Sequence, residues 1–261
     1  MNRYTFLLPA LVFVVSPGFR VVQHRPADRH APIIIRHRAG TSTTSSNWSG
    51  YAVTGANGSV SDVQGTWMVP SVICPSSGNQ YAAFWVGIDG YASNTVEQIG
   101  TEADCQSGSP IYYAWYEFYP HLSYYIAMAI HPGDIMQAHV SASGGNFIVT
   151  IKNVTTGASF TTGQKMANAK MSSAEWIAEA PYSGGVLPLS DFGTVNFSGV
   201  QATVGKTTSG LAGFNQNNVF DITMDNPDGA TAVPSSFLPS TCPQTGSCAS
   251  NFGITYYPPA S

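Results

Sequence analysis

Charged side chains are scarce in this chain. Only 9% of its 261 residues are Asp, Glu, Lys or Arg, against about 25% in an average globular protein. Coiled coils and charge-laced helical bundles need Glu and Lys in quantity, so the composition excludes them. No apolar run reaches the roughly 20 residues of a transmembrane helix, and we expect no membrane-spanning helix.

The few charges are also unevenly distributed. Six of the ten basic residues lie in the first 38 positions, and only Asp28 opposes them there. From residue 39 onward the chain has no arginine, four lysines and thirteen carboxylates, hence a net charge of −9. A surface of this sign repels phosphate backbones, so we expect no nucleic-acid partner. Because acid denaturation is mostly the loss of paired carboxylates, the shortage of ion pairs predicts an acid-tolerant protein.

Glycine, proline and aromatic residues are abundant instead, with Gly 26, Pro 17, Tyr 13 and Phe 13. This composition is typical of strands joined by tight turns. Short β-rich runs recur at 51–53, 60–69, 81–88, 96–101, 111–119, 123–130, 135–143, 146–154, 159–164, 173–180, 194–204 and 222–224. No segment has the length and 3.6-residue period of a dominant helix. We therefore expect an all-β fold, an antiparallel β-sandwich of two sheets.

Three regions divide the chain. Residues 1–17 carry an arginine, a short apolar run and a Ser-Pro-Gly sequence, which is typical of a secretion signal, although a chance apolar patch is the alternative. Residues 18–45 are basic and rich in histidine, and are either a removable pro-segment or a disordered tail. As a pro-segment they would mask an acidic cleft until cut away. Residues 46–261 are expected to form one domain.

The chain contains four cysteines, Cys74, Cys105, Cys242 and Cys248. An even number beside a secretion signal favours disulfides in an oxidising compartment. Three pairings are possible, and a Cys242–Cys248 bridge would leave Cys74 to pair with Cys105; four buried thiols are the alternative. Neither the cysteines nor the six histidines have the spacing of a zinc site, so we expect no metal.

The best-known catalytic signatures are missing. HExxH, GxSxG, DTG and DSG do not occur, so the sequence indicates neither a zincin nor a nucleophile elbow, and paired-aspartate peptidase chemistry lacks its motif. One segment is nevertheless hard to explain as packing. If 173–181 is a strand, alternation places Glu175, Ile177 and Glu179 on one face, with the carboxylates about 7 Å apart. A solvent-exposed face is the alternative interpretation.

A second segment combines aromatic residues with a carboxylate. Alternation in the strand at 111–119 places Tyr113, Trp115, Glu117 and Tyr119 on one face. Aromatic side chains on both faces suit a strand with one side in the core and the other lining a groove for peptide or sugar. An aromatic-rich core strand is the alternative.

Seven motifs in order resemble the glutamic peptidase (eqolisin) family: NWSGY, GTWMVPSV, WVGIDG, EQIGTE, AWYEFYP, SAEWIAEAP and LSDFGTVNF. The match runs from about Asn47 to Phe197, over half of the chain, and indicates a bacterial-type relative. The segment beyond about residue 200 has no counterpart in this comparison. The resemblance implies a sandwich of two long antiparallel sheets, jelly-roll or concanavalin-like, with a concave substrate cleft.

The resemblance also implies a site. The catalytic glutamine maps to Gln98 of EQIGTE, and the catalytic glutamate maps to Glu175 of SAEWIAEAP, with Glu179 as the alternative because both point to one face. Cleft residues that bind substrate carry over to Trp85, Asp89, Glu102, Trp115 and Glu117. Glu102 stands where fungal members have aspartate, which makes its role the least secure.

This pair would hydrolyse a peptide bond without a cofactor. The glutamate would remove a proton from water and later deliver it to the leaving amine, while the glutamine amide would donate to the developing oxyanion. We therefore expect a secreted, acid-active endopeptidase, made as a zymogen and acting as a monomer on polypeptides. The alternatives are a carbohydrate-active jelly roll, either glycosidase or lectin, and a non-catalytic sandwich. Against the former, Glu175 and Glu179 lack the intervening aspartate of the ExDxxE glucanase strand.

Overall fold

The computed structural model describes residues 22–23, 30–239 and 248–260. The strands are β1 Val22–Gln23, β2 Ile35–Ala39, β3 Ser42–Ser45, β4 Trp48–Thr54, β5 Val60–Met68, β6 Asn79–Gln80, β7 Ala83–Ile88, β8 Val96–Gln106, β9 Ser109–Tyr119, β10 Tyr124–Ile126, β11 Ile135–Ser143, β12 Asn146–Asn153, β13 Ser159–Lys165, β14 Ser173–Glu179, β15 Thr194–Val204, β16 Thr207–Ser209, β17 Val219–Asp225, β18 Thr231–Pro234, β19 Leu238–Pro239 and β20 Ser250–Tyr257. Two 3₁₀ turns, Leu211–Gly213 and Gln216–Asn218, are the only helices in these ranges. Neither approaches the length and apolar character of a membrane span.

The strands form two layers, as predicted. The first layer, here the cleft sheet, has the order β1-β10-β9-β8-β7-β14-β4-β17-β3-β2. The second, the back sheet, has the order β13-β12-β11-β5-β15-β20. All these pairs are antiparallel except β17–β3. β18 pairs with both β17 and β20 and so connects the layers at one edge.

The main core lies between the two sheets. Alternate residues of β5, β11 and β12 are buried, as expected when one face of a strand packs inward and the other faces solvent. Trp67 packs on Phe197, which stacks on Phe252 with ring centroids 5.3 Å apart. Trp176 points from the cleft sheet toward the back sheet and donates its indole N–H to the Gln64 carbonyl at 2.7 Å. These contacts hold the cleft sheet against a rigid support.

A second apolar cluster lies on the opposite face of the cleft sheet. Its buried members are Trp48, Ala52, Ala83, Trp85, Tyr91, Val96, Trp115, Ile177 and Ile222. The cleft sheet is therefore buried on both faces, which explains why every residue of β7 and β14 is buried. Strands with apolar side chains on both faces usually belong to a parallel sheet that is covered by helices on each side. Here the sheet is antiparallel in this region, and its second face carries this apolar cluster.

Most predicted strands agree with the structure. The ranges 135–143 and 194–204 match β11 and β15 from end to end. The prediction omits eight strands: β1, β2, β3, β6, β16, β18, β19 and β20. β2 is exposed at every position and has no alternation, and β3 consists of serine and threonine. β20 does alternate, with Phe252, Ile254 and Tyr256 buried, so its signal was present in the sequence.

One disulfide is described. Cys74 and Cys105 are bonded, with their Cα atoms 5.3 Å apart, so these two cysteines are not the buried thiols of the alternative interpretation. The bridge attaches the loop after β5 to the end of β8, the strand that carries Gln98. Cys242 lies outside the described residues, and its pairing with Cys248 stays a prediction.

Candidate active site

The site is built on four neighbouring strands of the cleft sheet. In one cross-strand row, Glu175 on β14 lies opposite Gly87 on β7, which lies opposite Gln98 on β8, which lies opposite Glu117 on β9. Residues directly opposite each other in a sheet point to the same face. The row therefore brings the predicted glutamine and glutamate together on one face, separated by a single strand.

Two further rows run parallel to the first. The second row contains Ile177, Trp85, Gly100 and Trp115, and the third contains Glu179, Ala83, Glu102 and Tyr113. Since alternate residues share a face, all three rows line one surface. The structure thus agrees with the predicted alternation of Glu175, Ile177 and Glu179.

Glycine at position 87 keeps the first row open. A Cβ atom there would lie 3.1 Å from the Gln98 Cβ and 2.9 Å from Cζ3 of the Trp85 ring. Cβ contacts under 3.0 Å essentially never occur. Any other residue would occupy the space between Gln98 and Glu175 or displace the tryptophan.

The chain's own N-terminal segment crosses this surface. Residues 30–34, here the crossing segment, are joined to the cleft sheet at several points. The Gln98 side-chain amide donates to the His30 carbonyl oxygen at 2.7 Å, and the His30 backbone N–H donates to Glu117 Oε2 at 2.9 Å. Farther along, Ile33 N–H donates to the Gly90 carbonyl at 3.3 Å, and Ile34 N–H donates to Asn47 Oδ1 at 2.8 Å. A polypeptide therefore occupies the cleft.

The imidazole ring of His30 lies in a pocket of acidic and aromatic side chains. Its Nε2 is 3.2 Å from Glu102 Oε1, and its Nδ1 is 3.4 Å from Glu179 Oε2. The ring stacks on Trp115 with centroids 3.4 Å apart and planes inclined by 8°. Glu179 is held in turn by the Trp85 indole N–H, which donates to its Oε2 at 2.8 Å. We call Glu102, Trp115 and Glu179 the imidazole pocket.

The carboxyl groups of the cleft sheet lie in a strongly desolvated environment. Burial raises the pKa of the Glu175 carboxyl well above its ordinary value, and the charges of Asp89 and Glu97 add to the rise. The neighbouring Ser173 hydroxyl opposes the rise. A carboxyl in this environment favours its protonated form, which is the form that can donate a proton.

Two neighbouring carboxyls behave in the same way. Burial raises the pKa of Glu179 well above its ordinary value, with a further contribution from the charge of Glu117, while the hydrogen bond from Trp85 and the nearby Trp48 indole oppose the rise. Burial, followed by the charge of Asp89, raises the pKa of Glu97 to about 9. Neutral carboxylic acids are thus favoured at several positions in and below the cleft.

Asp89 has a different position from the other predicted cleft residues. Its carboxylate accepts the backbone N–H groups of Lys170, Met171 and Ser172 at 2.7 to 2.9 Å and the Ser172 hydroxyl at 3.0 Å. These residues lead directly into β14, the strand that carries Glu175. Asp89 therefore holds the segment that leads into β14 and makes no described contact with the crossing segment.

Sequence reasoning missed two contributors to the site. His30 was placed in an unpatterned tail, where no periodicity could indicate a contact with residues 70 to 150 positions away. Asn47 was noted only as part of a motif, yet its buried side chain receives Ile34 N–H and approaches the carbonyls of Ala31 and Pro32 at 3.4 and 3.3 Å. An asparagine directly before a predicted strand was the available sequence signal for the latter.

Comparisons with known proteins agree with this site. The profile of the Peptidase A4 family matches residues 46–238. Aspergillopepsin-2 of Aspergillus niger is 34% identical over 206 residues, which cover 69% of this chain and 71% of that protein. Scytalidopepsin B of Scytalidium lignicola is 33% identical over 163 residues, which cover 58% of this chain and 59% of that protein. The family match continues to residue 238, so the expectation that nothing beyond about 200 has a counterpart was wrong.

Solved structures give the same result for the fold. Scytalido-glutamic peptidase with a peptide-based transition state analog superposes with a TM-score of 0.60 at 25% identity, covering 81% of this chain and 98% of that one. Aspergilloglutamic peptidase from Aspergillus niger superposes with a TM-score of 0.51 at 27% identity, covering 68% and 99%. This chain belongs to the Peptidase A4 family. The solved structures that it resembles are glutamic peptidases. It is a glutamic-type endopeptidase that acts on polypeptides.

Proposed function

We propose that this endopeptidase is a secreted, acid-active enzyme that uses Gln98 and Glu175 as its catalytic pair. One observation carries the proposal. A backbone carbonyl, that of His30, accepts the Gln98 side-chain amide at 2.7 Å inside the cleft. A substrate carbonyl in this position would receive the same donor as its oxygen becomes negative, which is where oxyanion stabilisation is needed.

The proposed reaction uses one water molecule. The Glu175 carboxylate removes a proton from water, whose oxygen attacks the carbonyl carbon while the Gln98 amide donates to the oxygen. The tetrahedral intermediate then collapses, the C–N bond breaks, and the carboxylic acid of Glu175 returns the proton to the leaving nitrogen. With the crossing segment in place, burial raises the pKa of Glu175 well above its ordinary value. Removal of the segment would let water into the cleft and relieve this burial, so that the carboxylate needed for the first step can form in mild acid.

Glu175 is preferred over Glu179 because of its position in the sheet. Glu175 and Gln98 are two strand spacings apart in one row, about 10 Å between backbones, and two extended side chains can span that distance. Glu179 is displaced by four further residues along its strand, about 13 Å. It contacts the His30 ring instead.

We further propose that residues 18–45 are a pro-segment that blocks the cleft. The crossing segment occupies the space that substrate needs, and β2 extends it along the sheet edge. Arg36 pairs with Asp225 at 3.2 Å, and the Arg38 guanidinium lies 4.8 Å from the Tyr91 ring centre. A basic segment is thus held against an acidic body, in line with the charge distribution of the sequence.

An exposed turn offers a site for activation. Gly40, with φ of 63°, lies at the end of the hairpin between β2 and β3, and β2 is exposed at all five positions. Exposed loop tips are preferred sites of proteolysis. A cut at this turn would release the crossing segment while leaving β3, which pairs with β17, in the body, so the removed part of the 18–45 region would end near Gly40 and not at residue 45. The prediction of a signal in residues 1–17 lies outside the described residues.

Few ion pairs and many buried acids support the acid activity. A buried carboxyl with a raised folded-state pKa stabilises the fold below its unfolded pKa, and that stability is lost as pH rises toward the folded pKa. Glu97, Glu175 and Glu179 all have this sign. Acidification to about pH 4 should therefore strengthen, not weaken, this part of the protein.

Proteolysis measured against pH tests the proposal. The full chain is incubated with casein between pH 3 and pH 8, and the N-terminus of the active form is sequenced. We expect activity in mild acid, appearing together with a new N-terminus near residue 40. Gln98→Ala should lower the rate by about 10²- to 10³-fold, the usual effect of losing an oxyanion donor.

The matched control is Asp62→Asn, a polar change on the outer face of the back sheet. It should leave the rate unchanged. Full activity of Gln98→Ala would contradict the catalytic pair. Hydrolysis of β-glucans, with no hydrolysis of casein, would favour the carbohydrate-active alternative.

A further inference from the structure

We propose that the imidazole pocket is a substrate subsite that selects histidine, or another planar cationic side chain, immediately before the bond to be cut. The inference rests on the proposed function, because that function identifies the carbonyl held by Gln98 as the reacting one. His30 supplies that carbonyl and its own side chain enters the pocket. His30 therefore occupies the pocket in the way that we propose for a histidine of the substrate.

The pocket matches both edges of an imidazolium ring. Glu102 lies beside Nε2 at 3.2 Å, and Glu179 lies beside Nδ1 at 3.4 Å. An imidazolium has an N–H donor at each of these nitrogens, whereas a neutral ring has only one. A carboxyl oxygen beside each ring nitrogen offers an acceptor to both N–H groups of the cationic form.

The shape of the pocket also favours a flat group. Trp115 covers one face of the ring at 3.4 Å, nearly parallel to it. Histidine and arginine can stack on an indole in this way, and a cation on an aromatic face gains further attraction. A lysine side chain carries the positive charge but has no planar group that could stack on the indole ring of Trp115. An aliphatic side chain satisfies neither requirement.

An apolar side chain would be selected against. Glu179 is fully buried and Glu102 almost so, and a Leu or Phe in the pocket would leave them facing hydrocarbon. A buried polar group that loses one of its partners is costly, and sites built around a polar group reject analogues that lack the partner. Glu117, the third acidic group nearby, is engaged by the His30 backbone N–H. The preference therefore depends on Glu102 and Glu179.

Paired peptides test this selectivity. The acid-activated chain is assayed on peptides that differ only in the residue before the cut bond, which is His, Arg, Leu or Phe. At a pH below about 6.5, where imidazole is charged, we expect kcat/KM for His to exceed that for Leu by at least about 10-fold. Glu102→Gln should reduce this ratio toward one, while Asp62→Asn should leave it unchanged. A ratio near one in the unaltered protein would overturn the proposal.

Hydrogen exchange gives a second readout that does not depend on turnover. In the intact chain carrying Glu175→Gln, the amides of residues 30–34 report how firmly the crossing segment is held. His30→Leu should speed their exchange by about 10-fold or more. Glu102→Gln should do likewise, and the two changes together should add little, because they remove one shared interaction.

The two experiments separate the two proposals. Unchanged exchange in His30→Leu would show that the pocket does not hold the ring, and would overturn the subsite even if casein is cleaved. Faster exchange without any casein hydrolysis would refute the proposed function and leave the pocket as a binding site for imidazole.

Discussion

Replacing Glu97 by glutamine should change how the stability of the protein depends on pH. Glu97 precedes Gln98 on β8, its carboxyl is buried, and burial together with the charge of Asp89 raises its pKa from the ordinary 4.5 to about 9. In the unfolded chain the same carboxyl ionises near its ordinary pKa. The unfolded state is therefore favoured as pH rises from about 4.5 toward 9.

The size of the effect follows from the pKa difference. One pH unit of differential ionisation corresponds to about 1.4 kcal/mol. Between the unfolded pKa and pH 7 there are about 2.5 units, so ionisation in the unfolded chain lowers the free energy of unfolding by about 3 kcal/mol over this range. This is a large part of the roughly 5 to 15 kcal/mol of a typical domain.

Glutamine has nearly the same shape and does not titrate. Between pH 4 and pH 7, the free energy of unfolding of Glu97→Gln should therefore rise by about 3 kcal/mol relative to that of the parent. This expectation does not depend on the absolute stability of the variant at pH 4. The free energy of unfolding is measured by denaturant titration at both values. Parent and variant both carry Glu175→Gln to prevent self-digestion.

A surface variant provides the control. Asp225→Asn removes a half-exposed carboxylate at the end of β17. The pH dependence of its free energy of unfolding should be nearly the same as that of the parent. Parallel curves for Glu97→Gln as well would refute the reasoning, because Glu97 would then titrate alike in the folded and unfolded states.

Three further changes test other parts of the account. Gly87→Ala should lower kcat by at least about 10-fold, measured on a peptide substrate, because its Cβ would enter the space between the two proposed catalytic side chains; an unchanged kcat would contradict this. Cys74→Ser should lower the free energy of unfolding by about 4 kcal/mol, since the lost bridge to Cys105 closes a loop of 31 residues, and a loss below about 1 kcal/mol would argue against it. Asp89→Asn should move the acidic limb of the kcat/KM profile to lower pH, because the charge of Asp89 raises the pKa of Glu175, whereas a shift to higher pH would be inconsistent.

The body of the fold could be predicted because its strands carry two-residue periodicity. Glu175, Ile177 and Glu179 share a face, and the 135–143 and 194–204 strands match at both ends. β20 was missed although it alternates, whereas β2 gave no periodic signal at all. β2 packs no side chain into a core and is held by backbone pairing and charge, which leave no periodic signal.

The site was only partly accessible from the sequence. Gln98 and Glu175 came from motifs, and the register of β7 explains why they lie in one cross-strand row. The role of Asp89 in holding residues 170–172 and the entry of His30 into the cleft depend on long-range contacts. Such contacts are set by how the chain folds back on itself, and local patterns do not encode them.

Comparing Glu175→Gln with Glu179→Gln on one peptide substrate, with activation carried out by an added protease, tests the central claim most directly. The account predicts that Glu175→Gln loses at least about 10²-fold in kcat because the general base and acid is gone. Glu179→Gln should retain measurable turnover and lose preference for histidine. Normal turnover by Glu175→Gln, with loss of turnover in Glu179→Gln, would contradict the account and assign the proton transfer to Glu179.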